Sequence, residues 1–136
     1  MKITKIIIGL LLIMQVIHCT AQTSKNDMST KENYSVEIIR YTLPDDKLES
    51  FETAYKEAGI YLKDSPYCLG YNVLHGEDEP NNYIVTIYWT SKEDHLNGFR
   101  KSTQFSGFFH LVRPYFNHIE EMKHYNETSI AWSKDS

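Results

Sequence analysis

Histidine is the side chain whose lone pair and charge are both in play near neutral pH, and the chain carries six. Five of them, His75, His95, His110, His118 and His124, fall in the second half of the chain and have no metal-ligand spacing. Beyond the N-terminal segment Cys68 is the lone cysteine, which gives no zinc site and no intramolecular disulfide. In the apolar stretch Tyr67-Cys68-Leu69 it reads as an inert, buried thiol. No glycine-rich phosphate loop and no serine nucleophile elbow is present. Glu120-Glu121 alternate across a predicted strand and read as solvated or paired rather than as an acid/base couple. The unusual feature is phenol: ten tyrosines, among them Tyr41, Tyr55, Tyr71, Tyr88 and Tyr115. Lining a pocket, they would hydrogen-bond a quinol or anthrone-like ligand; at the margins of a small core, they would only pack. No metal and no cofactor is expected from these patterns.

The elements that would position these groups are legible from periodicity. Tyr34 to Leu43 is β-branched and aromatic, with Val36, Ile38, Arg40 and Thr42 on one face and Glu37, Ile39, Tyr41 and Leu43 on the other. After Pro44, Asp45 or Asp46 with Glu49 suggests a capping box. Leu48, Phe51, Tyr55, Ala58 and Leu62 then repeat at 3, 4, 3 and 4, the stripe of an amphipathic helix. Leu69 to His75 and Tyr83 to Trp89 read as a hairpin across an acidic turn. Ser91 caps a helical segment with Leu96 and Phe99; Ser102 caps another with Phe105, Phe109 and Val112, ended by Pro114. Tyr115 to Tyr125 reads as a fourth strand. The order β-α-β-β-α-β is the ferredoxin-like unit of the α+β class, a four-stranded antiparallel sheet with its helices on one face. The apolar face left open predicts a second copy of the chain as partner. The first and last strands being neighbours, Arg40 is expected to pair with Glu121 or Glu120.

The first residues are set apart. Lys2 and Lys5 precede an apolar run from Ile6 to Ile17, and Cys19-Thr20-Ala21 offers small residues before Gln22. That is the layout of a signal peptide over 1–21, with mature protein secreted or periplasmic. The alternative is a lipoprotein anchored through Cys19, although His18 is large for such a signal. Residues 22–33 read as a flexible tether, 34–126 as the folded domain and 127–136 as a C-terminal tail. Removing two lysines and no acids takes the formal charge of −4 to near −6. That balance argues against nucleic acid and against an anionic membrane as partners.

Trp89-Thr90-Ser91-Lys92-Glu93-Asp94-His95-Leu96, followed by Phe99, Ser102 and Phe105, resembles the signature segment of the antibiotic biosynthesis monooxygenase (ABM) family. Ser65-Pro66-Tyr67-Cys68-Leu69-Gly70-Tyr71 is similar to that family's approach to its second strand, and the resemblance runs from about Val36 to Tyr125. It implies a dimeric α+β barrel with a pocket between helices and sheet. Relatives oxygenate aromatic polyketide or quinol substrates without metal or flavin, one branch degrades haem, and many have no assigned activity. Trp89 matches a pocket tryptophan, and the rival reading is a core aromatic. His95 falls near a polar or aromatic pocket position, and its rival reading is an exposed helix residue beside Lys92, Glu93 and Asp94. Phe99 stands where many members carry a histidine, which removes an acid/base group. The haem branch's asparagine, tryptophan and histidine positions are Ile39, Phe99 and Phe109 here, and His110 is one residue, about 100°, out of place. Haem chemistry is therefore disfavoured. The resemblance thus implies a cofactor-independent monooxygenase acting on a small aromatic or quinol-type substrate, with Trp89 and His95 catalytic and Tyr71, Phe99 and Phe109 against the substrate. The alternative is a non-catalytic dimeric ligand-binding or stress-associated module of the same fold. The two are separated by whether the pocket is open around a convergent polar group or filled by Phe99, Phe105 and Phe109.

Overall fold

The computed structural model describes residues 34–134; the expected signal peptide, the tether and the last two residues of the tail lie outside the described residues. Strand β1 (Ser35–Thr42) lies between β3 (Asn82–Trp89) and β4 (Ile119–Asn126), and β2 (Cys68–His75) pairs with the outer edge of β3. The antiparallel order β2-β3-β1-β4 is the ferredoxin-like arrangement, with α1 (Leu48–Lys63) and α2 (Thr103–Val112) on one face.

Strand alternation decides what meets those helices. Ser35, Glu37, Ile39 and Tyr41 of β1 and Tyr83, Val85, Ile87 and Trp89 of β3 are all buried on the helix side. Phe51, Tyr55, Ala58 and Leu62 of α1 close over them, and α2 adds Phe108 and Val112. The two helices approach closely because Gly107 leaves room for the Tyr61 ring; a Cβ there would meet it at 2.2 Å. One residue stands out on this face: Glu37, the one carboxylate among these buried residues.

Three expectations are corrected. The capping box at Asp46 and Glu49 does not form; a short 3₁₀ turn (Asp45–Lys47) leads into α1 without a side-chain cap. The fourth strand begins at Ile119, four residues late, because Pro114 cannot donate to an α-helical ladder and the chain winds instead as a 3₁₀ turn (Arg113–His118) that buries Tyr115. The helical segment after Ser91 is a wide π-type turn (Asp94–Gly98), followed by a 3₁₀ turn (Phe99–Lys101). By contrast, Ser91 accepts the Asp94 N–H at 3.0 Å and Ser102 the Phe105 N–H at 3.2 Å, the two caps read from the sequence.

On the helix-free face Arg40 stands opposite Glu121 and donates to it at 2.9 Å, the expected pairing. The arginine is half exposed, so solvent screens the pair and it contributes little in a lone subunit. Val36, Ile38 and Ile84 remain half-buried around it. No helix among the described residues is long and apolar enough to cross a membrane.

Candidate functional site

Glu37 is 3% exposed, and the reason it tolerates burial is a chain of partners. Trp89, wholly buried at the end of β3, donates its indole N–H to Glu37 Oε2 at 3.0 Å. The His95 ring lies flat on that indole, centroids 4.2 Å apart and planes within 3°. His95 Nδ1 is 3.7 Å from Glu37 Oε2 and hydrogen-bonds His124 Nε2 of β4 at 2.7 Å. Glu37 and His124 are direct neighbours across the β1–β4 ladder.

The π-type turn is what brings His95 in. Its hydrogen bond from the Phe99 N–H reaches back five residues to Asp94. Such a wide turn shifts the phase of the side chains and recurs at functional sites. Thr90, which donates to the Asp94 carboxylate at 2.7 Å, and Ser91 hold its first residues. His95 is 4% exposed, so the reading of an exposed helix residue is overturned: its solvated neighbours say where they point, and the wide turn points His95 inward.

Burial sets the protonation of the cluster. It pushes the Glu37 carboxyl up to about 7, against the pull of the Trp89 N–H and the Arg100 charge. It pushes His95 down to about 3, with His124 and Arg100 adding to the effect. His124 is also held below the ordinary imidazole range, by burial first and then by Lys92 and Arg100. The 3.7 Å contact between His95 and Glu37 is therefore a polar contact with a neutral imidazole, not an ion pair.

Glu37, Trp89 and His95 form one wall of a cavity between sheet and helices. Ile39, Tyr41, Tyr55, Ile87, Phe99 and Phe108 are part of its rim and floor, with Phe105, Phe109 and Phe116 on the helical side. Tyr41 and Tyr55 join their hydroxyls at 2.6 Å inside the core, where burial pushes Tyr41 up to about 12 and Tyr55 above its ordinary value. The cavity volume is about 40 Å³. That admits a water or two, and is far below the roughly 150 Å³ at which an engineered apolar cavity takes up benzene. So the pocket holds a convergent polar group and is also largely filled by phenylalanine. An aromatic guest needs Phe105, Phe109 and Phe116 to move; the first two are only partly buried and Phe116 is 48% exposed.

Trp89, His95, Phe99 and Phe109 come together at this cavity, as does Ile39. The three haem-branch positions thus converge as apolar residues, while His110 points to solvent. Tyr71 does not join them. It faces α1 across β2, where its hydroxyl end lies against Gly59, and it lines a separate open groove with Glu52, His75 and Tyr83. Cys68 is partly buried, with its thiol pushed up by burial, in keeping with an inert group. Glu37 and His124 are the site residues that the sequence reading missed. A lone acid in an apolar strand face is a detectable signal for the first; nothing local marks the second.

A ferredoxin-like domain with an aromatic cavity under its helices, and one polar corner, is the class this geometry defines. Residues 35–111 match the family described as antibiotic biosynthesis monooxygenase, and the chain belongs to that family. His124 lies beyond the matched segment. A candidate antibiotic biosynthesis monooxygenase from Bordetella bronchiseptica is similar in structure, with a TM-score of 0.64 and 20% identity, covering 71% of this chain and 99% of its own. A variant of SnoaB, a cofactor-independent oxygenase from Streptomyces nogalater, gives 0.60 and 16%, covering 74% and 100%. In sequence, the uncharacterized protein YczJ of Bacillus subtilis is 20% identical over 79 residues, 58% of this chain and 83% of its own.

Proposed function

We propose that this protein is a monooxygenase that takes a small aromatic or quinol-type substrate into the cavity beneath Trp89. The observation that carries the reading is the buried polar corner of Glu37 and His95, with Arg100 beside it, set in a mostly aromatic lining. Oxygenation of an electron-rich ring without a cofactor needs the substrate deprotonated in a dry site. In an anthrone a ring methylene then reacts with O₂, becoming a carbonyl as water leaves; in a quinol a ring C–H carbon takes one oxygen atom, giving the hydroxyquinone and water. Glu37, whose carboxyl burial holds at about 7, is the proton-accepting group on the lining, while His95, pushed down to about 3, stays neutral beside it, and Trp89 holds both in place.

Oxygen uptake with a panel of quinols and anthrones, with and without a chelator, tests this. Trp89→Phe is expected to keep the fold and cut uptake at least about tenfold, because the indole N–H that orients Glu37 is lost. His95→Ala should cut it at least about tenfold, because the ring that stacks on Trp89 and positions the substrate beside Glu37 is lost. Uptake that survives both substitutions would place the chemistry elsewhere. The small cavity favours one second reading, a non-catalytic binding module, and no uptake by the wild type on any substrate would establish that reading in its place.

The same proposal includes export and self-association. The Lys2-to-Ala21 segment supports a product starting at Gln22, and the half-buried Val36, Ile38 and Ile84 support a homodimer through the open sheet face. Ile130 and Trp132 of the tail, 91% and 86% exposed, add apolar surface for a partner copy to cover. Intact mass and light scattering of the exported product check both: a mass starting at Met1, or a monomer at micromolar concentration, would refute them.

A further inference from the structure

We propose that Glu37, His95 and His124 form a binding site for a divalent first-row transition-metal ion. The ligand atoms of the three residues lie within 4.8 Å of one another, and two of the residues are buried. Two imidazoles and a carboxylate are the donors that zinc and iron(II) take, and imidazole excludes magnesium and calcium.

The geometry is close to that of a bound ion. Donors about 2.0–2.1 Å from a metal stand roughly 3.0–3.4 Å apart. Here the two imidazole nitrogens are 2.7 Å apart and His95 Nδ1 is 3.7 Å from the carboxylate. Entry requires the nitrogens to part by a few tenths of an ångström, and the carboxylate to close on His95 by a similar step and on His124 from within 4.8 Å. The proton between the rings must also pass to the other nitrogen of one ring. The donors sit on rigid elements: adjacent strands β1 and β4, and a turn anchored by Ser91. The Trp89 N–H on Glu37 Oε2 is the outer hydrogen bond that orients a ligating carboxylate, and it leaves that oxygen a further lone pair and Oε1 free of this contact. Glu37 and His95 also line the cavity, so open coordination positions would face it.

The other histidine–carboxylate contact among the described residues lacks these features. His75 and Glu52 are 3.7 Å apart and exposed, and His75 Nε2 is committed to the Pro80 carbonyl at 2.6 Å.

The site is independent of the oxygenase reading and competes with it, since a metal takes the lone pairs that would accept the substrate proton. Its test therefore reads binding, not turnover. Protein stripped with a chelator is titrated with Co²⁺ and followed by its visible ligand-field bands, and Zn²⁺ is then added. The expected result is saturable binding of one equivalent with bands of four- or five-coordinate cobalt, bleached by zinc. Glu37→Gln, which keeps an acceptor for Trp89, and His124→Ala, at a half-exposed position, should each weaken binding at least about tenfold. His110→Ala, an exposed histidine, should leave it unchanged. Zinc should raise the melting temperature of the wild type and not of the two site variants. Absence of a saturable spectrum in the wild type overturns the proposal whatever the variants do. So does cobalt binding that persists in Glu37→Gln and His124→Ala.

Discussion

Phe51→Ala is expected to lower the unfolding free energy by about 3–5 kcal/mol, a large share of the roughly 5–15 kcal/mol that holds a domain together. Phe51 is fully buried on the inner stripe of α1. Its ring meets four others, Tyr83 at 4.7 Å, Tyr55 at 4.8 Å, Tyr41 at 4.9 Å and Tyr115 at 5.2 Å between centroids. Those partners come from β1, β3, α1 itself and the turn before β4, so no single neighbour can swing in to fill the space. Tyr41 and Tyr55 also hold each other by their hydroxyls, which resists collapse of the walls. Urea denaturation followed by circular dichroism measures the effect as a shift in midpoint at constant slope. Ile60→Ala on the outer face of the same helix, 58% exposed, is the control and should cost no more than about 0.5 kcal/mol. A Phe51→Ala loss as small as the control's would mean that the aromatic cluster does not hold the two layers together.

Trp89→Ala is expected to cost more than its volume alone predicts. The cavity left by the indole accounts for about 3–5 kcal/mol. Removing the indole also takes away the N–H that satisfies Glu37 and the surface on which His95 stacks, and a buried acceptor left unpaired adds about 1–3 kcal/mol. The second contribution is isolated by a double-mutant cycle with Glu37→Leu. In the double variant no carboxylate is orphaned, so the two single losses should sum to more than the double loss by about 1–3 kcal/mol. Simple additivity would show that Glu37 draws nothing from Trp89. The order of the cluster, with the indole holding the carboxylate and the imidazole, would then be wrong.

Much of the fold is legible without coordinates, and the reason is that its signals are local. Side chains alternate at a period of two along a strand and recur at 3.6 along a helix. Val36 and Ile38 against Glu37 and Ile39, and Phe51, Tyr55, Ala58 and Leu62 at helical spacing, therefore state which face is buried. Ser91 and Ser102 are recognisable as caps of the turns after them because a cap is a contact across three residues. Trp89, Phe99 and Phe109 are assigned to the cavity by the resemblance of the segments around them. His95 is assigned on the same ground, and the rival reading drawn from its neighbours fails. Lys92 and Glu93 are exposed and Asp94 partly buried, but whether the next residue turns in depends on the pitch of the turn, and a wide turn leaves no mark in composition.

Only the tertiary structure decided the company these residues keep. In the sequence Glu37 is an acid on a strand face with no visible partner, and His124 is one histidine among six. They are 87 positions apart, and the β1–β4 register joins them, while His95 reaches them from a third element. Metal-ligand spacing and acid/base pairs can be recognised along a chain only when one element carries them. Tyr71 shows the converse, since its strand carries a residue near the right motif to the far side of α1. Periodicity says which way a side chain faces. Strand order and register say what it faces, and those are fixed by contacts between segments that the sequence does not place side by side.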